Sequence, residues 1–246
     1  MKKKLLKIFF WILTIILVIV LSFVGVFLFT SYAPTENALS YLEDTSTVNV
    51  EVDDLLTFIP ENGQSSTGLI IYPGAKVQAE SYAPLAYKIA EAGYTVIITP
   101  MPLNFAIFDS NAANEAIKAF PEIENWAIAG HSLGGVMATK YANENKIIDG
   151  VILYASYPQG DELKDSNLKV TSIYASLDGV ADKDKIVSSK ELLPKGTQFI
   201  EIEGGNHAQF GNYGEQSGDN KATISVAEQI NQSAQLSIEL LNSISK

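Results

Sequence analysis

The chain reads as an α/β fold, a mostly parallel, doubly wound sheet with helices on both faces. Three observations predict this. Beyond residue 48, apolar runs of strand length alternate with amphipathic helical stretches. Runs such as Gly68-Leu69-Ile70-Ile71-Tyr72 are continuously apolar, as in strands buried on both faces. Gly130-His131-Ser132-Leu133-Gly134-Gly135 lies between a short apolar strand and a helix and fits the G-x-S-x-G nucleophile elbow. The serine of such an elbow sits on a strained turn, and its flanking glycines let strand and helix approach closely.

The elements follow in order. Val48 to Val52 alternates with period two, so it is a half-exposed strand. Leu55 to Ile59 is a second strand, stopped by Pro60, and Glu61 to Ser66 is a polar turn. Gly68 to Tyr72 is a buried strand. Tyr82 to Ala92 is a helix with Leu85, Ala86, Ile89 and Ala90 on one face, ended by Gly93. Tyr94 to Ile98 is the next buried strand, and Ala112 to Phe120 is a helix stopped by Pro121. The elbow strand Trp126 to Ala129 and its helix Leu133 to Asn143 come next. Strands at Gly150–Tyr154 and Val170–Ala175, a helix at Lys183–Leu193, a strand at Gln198–Ile202 and a long amphipathic helix at Ala222–Ile244 complete the pattern. About 15 residues separate the strands ending at Tyr154 and starting at Val170, near the minimum for a parallel crossover. That leaves minimal or no lid, and Tyr157, Phe105 and Phe108 are candidate walls of an open, shallow site.

The amino terminus differs. Lys2, Lys3, Lys4 and Lys7 form a basic segment (1–7) before an uncharged apolar run from Ile8 to Thr30. That run of about 23 residues is long enough to cross a hydrocarbon core of roughly 30 Å. It predicts one transmembrane signal anchor over 8–30, with the lysines cytoplasmic and the rest exported. Ser31-Tyr32-Ala33 offers the alternative of a cleaved signal peptide. Residues 31–47 are polar and contain proline, which predicts a short stalk leading to a domain over 48–246.

Composition narrows the function. The chain of 246 residues carries 47% hydrophobic residues, enough for one substantial core. It has no cysteine, which excludes disulfides, a cysteine nucleophile and thiolate metal sites. The net charge is −11, and every basic residue is lysine. Such an acidic body disfavours nucleic acid and anionic membrane surfaces as partners.

An activated serine needs a base within hydrogen-bond reach and an acid to orient that base. The chain has two histidines. His131 neighbours Ser132 along the chain, so its side chain points away from the serine's. That leaves His207, in the glycine-rich loop Glu203-Gly204-Gly205-Asn206-His207 after the last strand. The acid is expected at the end of the preceding strand, where Ser176-Leu177-Asp178-Gly179-Val180-Ala181-Asp182 follows Ala175. Asp178 is closest to the strand end. Asp182 is the alternative, although it better suits a helix cap before Lys183. Oxyanion donors are expected from the backbone of Leu133 and of Ala75, in the loop Tyr72-Pro73-Gly74-Ala75-Lys76-Val77, with Gly74 as donor if that loop is shifted by one.

With Gly130–Gly134, Asp178 and His207 in that order, the stretch from Val48 to Lys246 resembles the α/β-hydrolase superfamily. The Pro73-Gly74 loop, Pro100-Met101-Pro102-Leu103-Asn104-Phe105 and Gly204-Gly205-Asn206-His207 look like the compact bacterial "alpha/beta hydrolase family 5" group, often labelled dienelactone-hydrolase-like. The Pro-Gly and Gly-Asn-His loops are also similar to those of bacterial cutinases and related polyester hydrolases. The resemblance implies a serine esterase with no metal and no organic cofactor. It does not extend to the dienelactone substrate, because true dienelactone hydrolases use a cysteine nucleophile. The expected activity is hydrolysis of a small-molecule or envelope ester by an exported, membrane-tethered enzyme. Acyl transfer to a cell-envelope acceptor would use the same acyl-enzyme, and a non-catalytic binding protein on a hydrolase fold belongs to a different class.

Overall fold

The computed structural model describes residues 2–245 and divides into two compact units, Met1–Ser31 and Tyr32–Lys246. The first contains helix α1 (Lys2–Phe29). At about 1.5 Å per residue, its 28 residues extend about 42 Å. Leu13, Ile16 and Ile19 are each more than half exposed. Among the described residues, no helix is long and apolar enough to cross a membrane. Side chains at Ile8, Val20, Phe23 and 26–28 lie outside the described set. The transmembrane segment expected at Ile8–Thr30 is therefore not established by the structure.

The second unit is built on one eight-stranded sheet in the order β1-β2-β4-β3-β5-β6-β7-β8. Its strands are β1 (Val48–Val52), β2 (Leu56–Pro60), β3 (Thr67–Tyr72), β4 (Thr95–Ile98), β5 (Asn125–His131), β6 (Ile148–Tyr154), β7 (Lys169–Ala175) and β8 (Gln198–Ile202). The pairs β1–β2 and β2–β4 are antiparallel, and every pairing from β4 through β3 to β8 is parallel.

Two hydrophobic layers explain why the central strands are apolar throughout. Successive side chains of a strand point to opposite faces. Leu69 and Ile71 of β3 join a cluster with α3 (Ala83–Glu91) and α7 (Val226–Ile244). Ile70 and Tyr72 join the other cluster, with α4 (Ala113–Ala119) and α5 (Leu133–Glu144). Trp126, fully buried, is the largest side chain of that second layer. The expected helix from Ala222 begins later, at Val226, because Ser225 caps it by accepting the Glu228 N–H at 3.2 Å. The helix expected over Lys183–Leu193 is α6 (Lys183–Ser188) followed by one 3₁₀ turn.

Parallel register brings one end of the sheet together. Tyr72 pairs with Gly130, His131 with Tyr154, Tyr154 with Ile173 and Ala175 with Ile202. The loops that leave β3, β5, β7 and β8 therefore emerge side by side at the carboxyl edge, where open α/β sheets place their sites. Residues 155–168 hold turns and bends with no helix among them, so no helical lid arises from that connection.

The expected stalk is instead a docked strap. Residues Glu36–Leu39 form the short helix α2, capped by Thr35. Tyr32 N–H donates to the Lys76 carbonyl at 2.7 Å, and Gln78 N–H donates back to Tyr32 at 3.0 Å. Thr35 donates from its N–H and its hydroxyl to Asn212, at 3.0 and 2.8 Å, and Ala38 is fully buried. The compact unit thus begins at Tyr32, not at Val48. A fragment beginning at Val48 is expected to melt at least about 5 °C below one beginning at Tyr32, since about 2 kcal/mol corresponds to such a shift in a domain of this size. Equal melting temperatures by calorimetry would show the strap to be dispensable.

Candidate active site

The turn between β5 and α5 carries Ser132 at φ 52°, ψ −122°. A serine with positive φ costs on the order of 1–3 kcal/mol and persists only where its surroundings impose it. Two glycines do so here. A Cβ on Gly130 would overlap the backbone of Gly134 and Gly135, and one on Gly134 would overlap the carbonyls of Tyr72 and Pro73. Ser132 N–H donates to the Tyr154 carbonyl at 2.9 Å, and the Ser156 hydroxyl donates to the Ser132 carbonyl at 2.7 Å. Both ends of the turn are thereby pinned to the end of β6.

Asp178 and His207 meet across the loops after β7 and β8. His207 Nδ1 lies 2.8 Å from Asp178 Oδ2, and the two side chains are 1% and 2% exposed. A carboxylate only accepts, so Nδ1 donates to it, and in the neutral ring this tautomer makes Nε2 the acceptor. The other oxygen, Asp178 Oδ1, accepts from Val180 N–H at 2.8 Å and Ala181 N–H at 2.7 Å. Asp182, the alternative acid, caps α6 by accepting the N–H groups of Asp184 and Lys185.

His131 is occupied elsewhere. Its Nδ1 lies 2.8 Å from the Tyr82 hydroxyl, which also accepts the Gly74 N–H at 2.9 Å. Burial, reinforced by His207 with its ring centroid 4.5 Å away, holds His131 well below the ordinary imidazole range. It is therefore neutral, with its Nδ1 hydrogen-bonded to the Tyr82 hydroxyl. The same bonds remove Gly74 from the candidate oxyanion donors. Among the described residues, neither Ala75 N–H nor Leu133 N–H has a protein acceptor. Sequence reasoning did not find Tyr82. Its place on the helix before the second strand of the parallel series gives no local signal of a hydroxyl reaching the loop after β3.

Tyr82→Phe would strand the buried Gly74 N–H and deprive His131 Nδ1 of its partner. Leaving such groups unpaired costs on the order of 1–3 kcal/mol. Thermal denaturation is expected to report a loss in that range. A variant as stable as the parent would show that water replaces the hydroxyl.

Ser132 itself is partly exposed. Phe108 is 61% and Ile107 57% exposed, and the rings of Phe105 and Phe108 lie 6.1 Å apart. Phe108, a candidate wall residue, is thus at the surface and outside the core. Tyr157 lines a groove of about 280 Å³ with Pro158 and Leu192. A cavity of about 520 Å³ is lined by Asn206, Ala208 and Asp219 beside the histidine loop, and includes neither Ser132 nor Asp178. No cluster of metal-ligating side chains occurs among the described residues.

Residues 68–231 match the alpha/beta hydrolase family. The chain belongs to that family. The match spans the elbow, both expected partners of its serine and the loop after β3. Solved structures share the fold. A predicted CIB-like hydrolase from Thermoplasma acidophilum aligns at 16% identity with a TM-score of 0.57, covering 80% of this chain and 99% of that one. A thermostable esterase from Pseudomonas putida ECU1011 aligns at 14% identity and TM-score 0.60, covering 85% and 88%. Est1E from Butyrivibrio proteoclasticus aligns at 14% identity and TM-score 0.59, covering 80% and 100%. No curated protein matches the chain.

Proposed function

We propose that the protein is an exported, membrane-tethered serine hydrolase that cleaves carboxylic esters. The observation that carries the reading is the buried Asp178–His207 pair, held at the same sheet edge as a serine on a strained strand-to-helix turn. Ser132 attacks the ester carbonyl, and His207 Nε2 takes the hydroxyl proton. Asp178 holds the ring in the tautomer that can accept this proton and stabilises the imidazolium that forms. The N–H groups of Ala75 and Leu133 bind the oxyanion, for which both are unengaged. His207 then gives the proton to the departing alcohol. A water, activated by the same imidazole, hydrolyses the acyl-enzyme and restores Ser132.

The alpha/beta hydrolase family and esterase-like structural neighbours support this chemistry. The tether rests on sequence. The uncharged run Ile8–Thr30 follows four lysines, so the helix α1 is read as a signal anchor with its amino terminus cytoplasmic. The exposed side chains of Ile107 and Phe108 suit contact with bulky or surface-bound esters.

The test is turnover of a p-nitrophenyl ester series by the full chain, with product analysis in the presence and absence of an acceptor alcohol. Release of free acid at the same rate in both conditions is the expected result. A transesterified product that dominates at modest alcohol concentration would point to acyl transfer. Absence of turnover across the series by the folded chain would favour a binding protein on a hydrolase fold.

A further inference from the structure

We infer that Asp219 is a positioning residue that clamps the acid-bearing loop to the base-bearing loop, an inference that rests on the triad reading above. Asp178 and His207 lie 29 positions apart, on separate loops. Asp219 sits on a third loop and joins them. Its Oδ1 accepts the Gly179 N–H at 2.9 Å, and its Oδ2 accepts the Ala208 N–H at 2.8 Å. Each donor is the residue immediately after one member of the pair. The adjoining Asn220 adds a further tie, because its carbonyl accepts from Asn206 Nδ2 at 2.7 Å, on the other side of His207. Asn220 N–H also donates to Asp219 Oδ1 at 2.9 Å, which fixes the carboxylate relative to its own backbone.

Packing gives an independent sign of the same clamp. A Cβ on Gly179 would lie 2.7 Å from the Gly218 carbonyl oxygen and 2.8 Å from the Asn220 nitrogen. The acid loop is therefore pressed against the 218–220 backbone at the place where the carboxylate bridges. A carboxylate suits this position because both its oxygens accept and its charge strengthens each bond. An amide of the same shape has one accepting oxygen, and its NH₂ would face an N–H donor. The Asp219 partners are backbone N–H groups, so it acts through the loops and not on reacting atoms. A displacement near 1 Å between acid and base costs about 10²-fold in rate.

The experiment compares Asp219→Asn, Asp219→Glu, Gly179→Ala and Ser132→Ala in the full chain with p-nitrophenyl butyrate. It follows kcat, KM, melting temperature and the downfield proton resonance of His207 Nδ1–H. Asp219→Asn is expected to lower kcat by about 10- to 100-fold, with KM changed less than about threefold. The Nδ1–H resonance is expected to broaden even though Asp178 is intact. Asp219→Glu keeps both accepting oxygens and is expected to recover part of the loss. Gly179→Ala removes no polar group, yet it pushes the two loops apart, so it is expected to lower kcat in the same way. It also serves if Asp219→Asn does not fold. A folded Asp219→Asn or Gly179→Ala with parental kcat and an unchanged resonance would overturn the inference. Inactive Ser132→Ala beside a fully active Asp219→Asn would sink the clamp alone. Parental turnover by Ser132→Ala would instead remove the triad reading.

Discussion

Replacing Ser132 with alanine is expected to lower kcat for ester hydrolysis by about 10⁴-fold or more, with the melting temperature essentially unchanged. The size of the effect follows from what the serine supplies. Without it no acyl-enzyme forms, and the remaining rate is that of water attacking an ester near the donors of Ala75 and Leu133. The small effect on folding follows from the turn. Among the described residues the Ser132 hydroxyl has no hydrogen-bond partner, whereas its backbone is pinned by Tyr154 and Ser156. Alanine keeps those backbone bonds and leaves no buried group unpaired. Steady-state kinetics together with a thermal melt checks both halves. Near-parental turnover by the folded variant would remove Ser132 from the mechanism.

Asp178→Asn is expected to cost about 10⁴-fold in kcat, by a different route. The amide oxygen can still accept from Val180 and Ala181 N–H, so the loop is expected to keep its shape. The amide NH₂ would then face His207 and donate to Nδ1 in place of accepting from it. That moves the imidazole proton to Nε2, where an acceptor for the serine proton is required. The expected pattern is therefore a preserved fold, a KM near the parental value and a collapsed kcat. A loss of only a few fold would show that His207 keeps its working tautomer by other means.

The parts of the site that could be read from sequence share one property. Each stands just after an apolar run, at the end of a strand. Two histidines and no cysteine leave few choices for a base. Asp178 stands out because it is the first acid after the strand ending at Ala175. The sheet was legible for a related reason, since strands buried on both faces leave uninterrupted apolar runs.

The strap at residues 32–47 was not legible, because its order comes from partners far away along the chain. Thr35 meets Asn212 at a separation of 177 positions, and a polar, aperiodic segment shows nothing of such a contact. Asp219 was hidden for the same reason. Its partners are backbone N–H groups, which every loop possesses and no side-chain pattern announces. The link from Gly74 through Tyr82 to His131 likewise joins three segments whose local sequences are unremarkable when read separately. Residues at strand ends are therefore easier to single out in the sequence than residues whose partners are loop backbone.

The central claim, an activated serine at position 132, is tested most directly by treating the full chain with a fluorophosphonate probe and locating the adduct by mass spectrometry. The account predicts a single adduct on Ser132, formed much more slowly in His207→Ala. A folded chain that forms no adduct, or one labelled at Ser132 equally fast without His207, would contradict it.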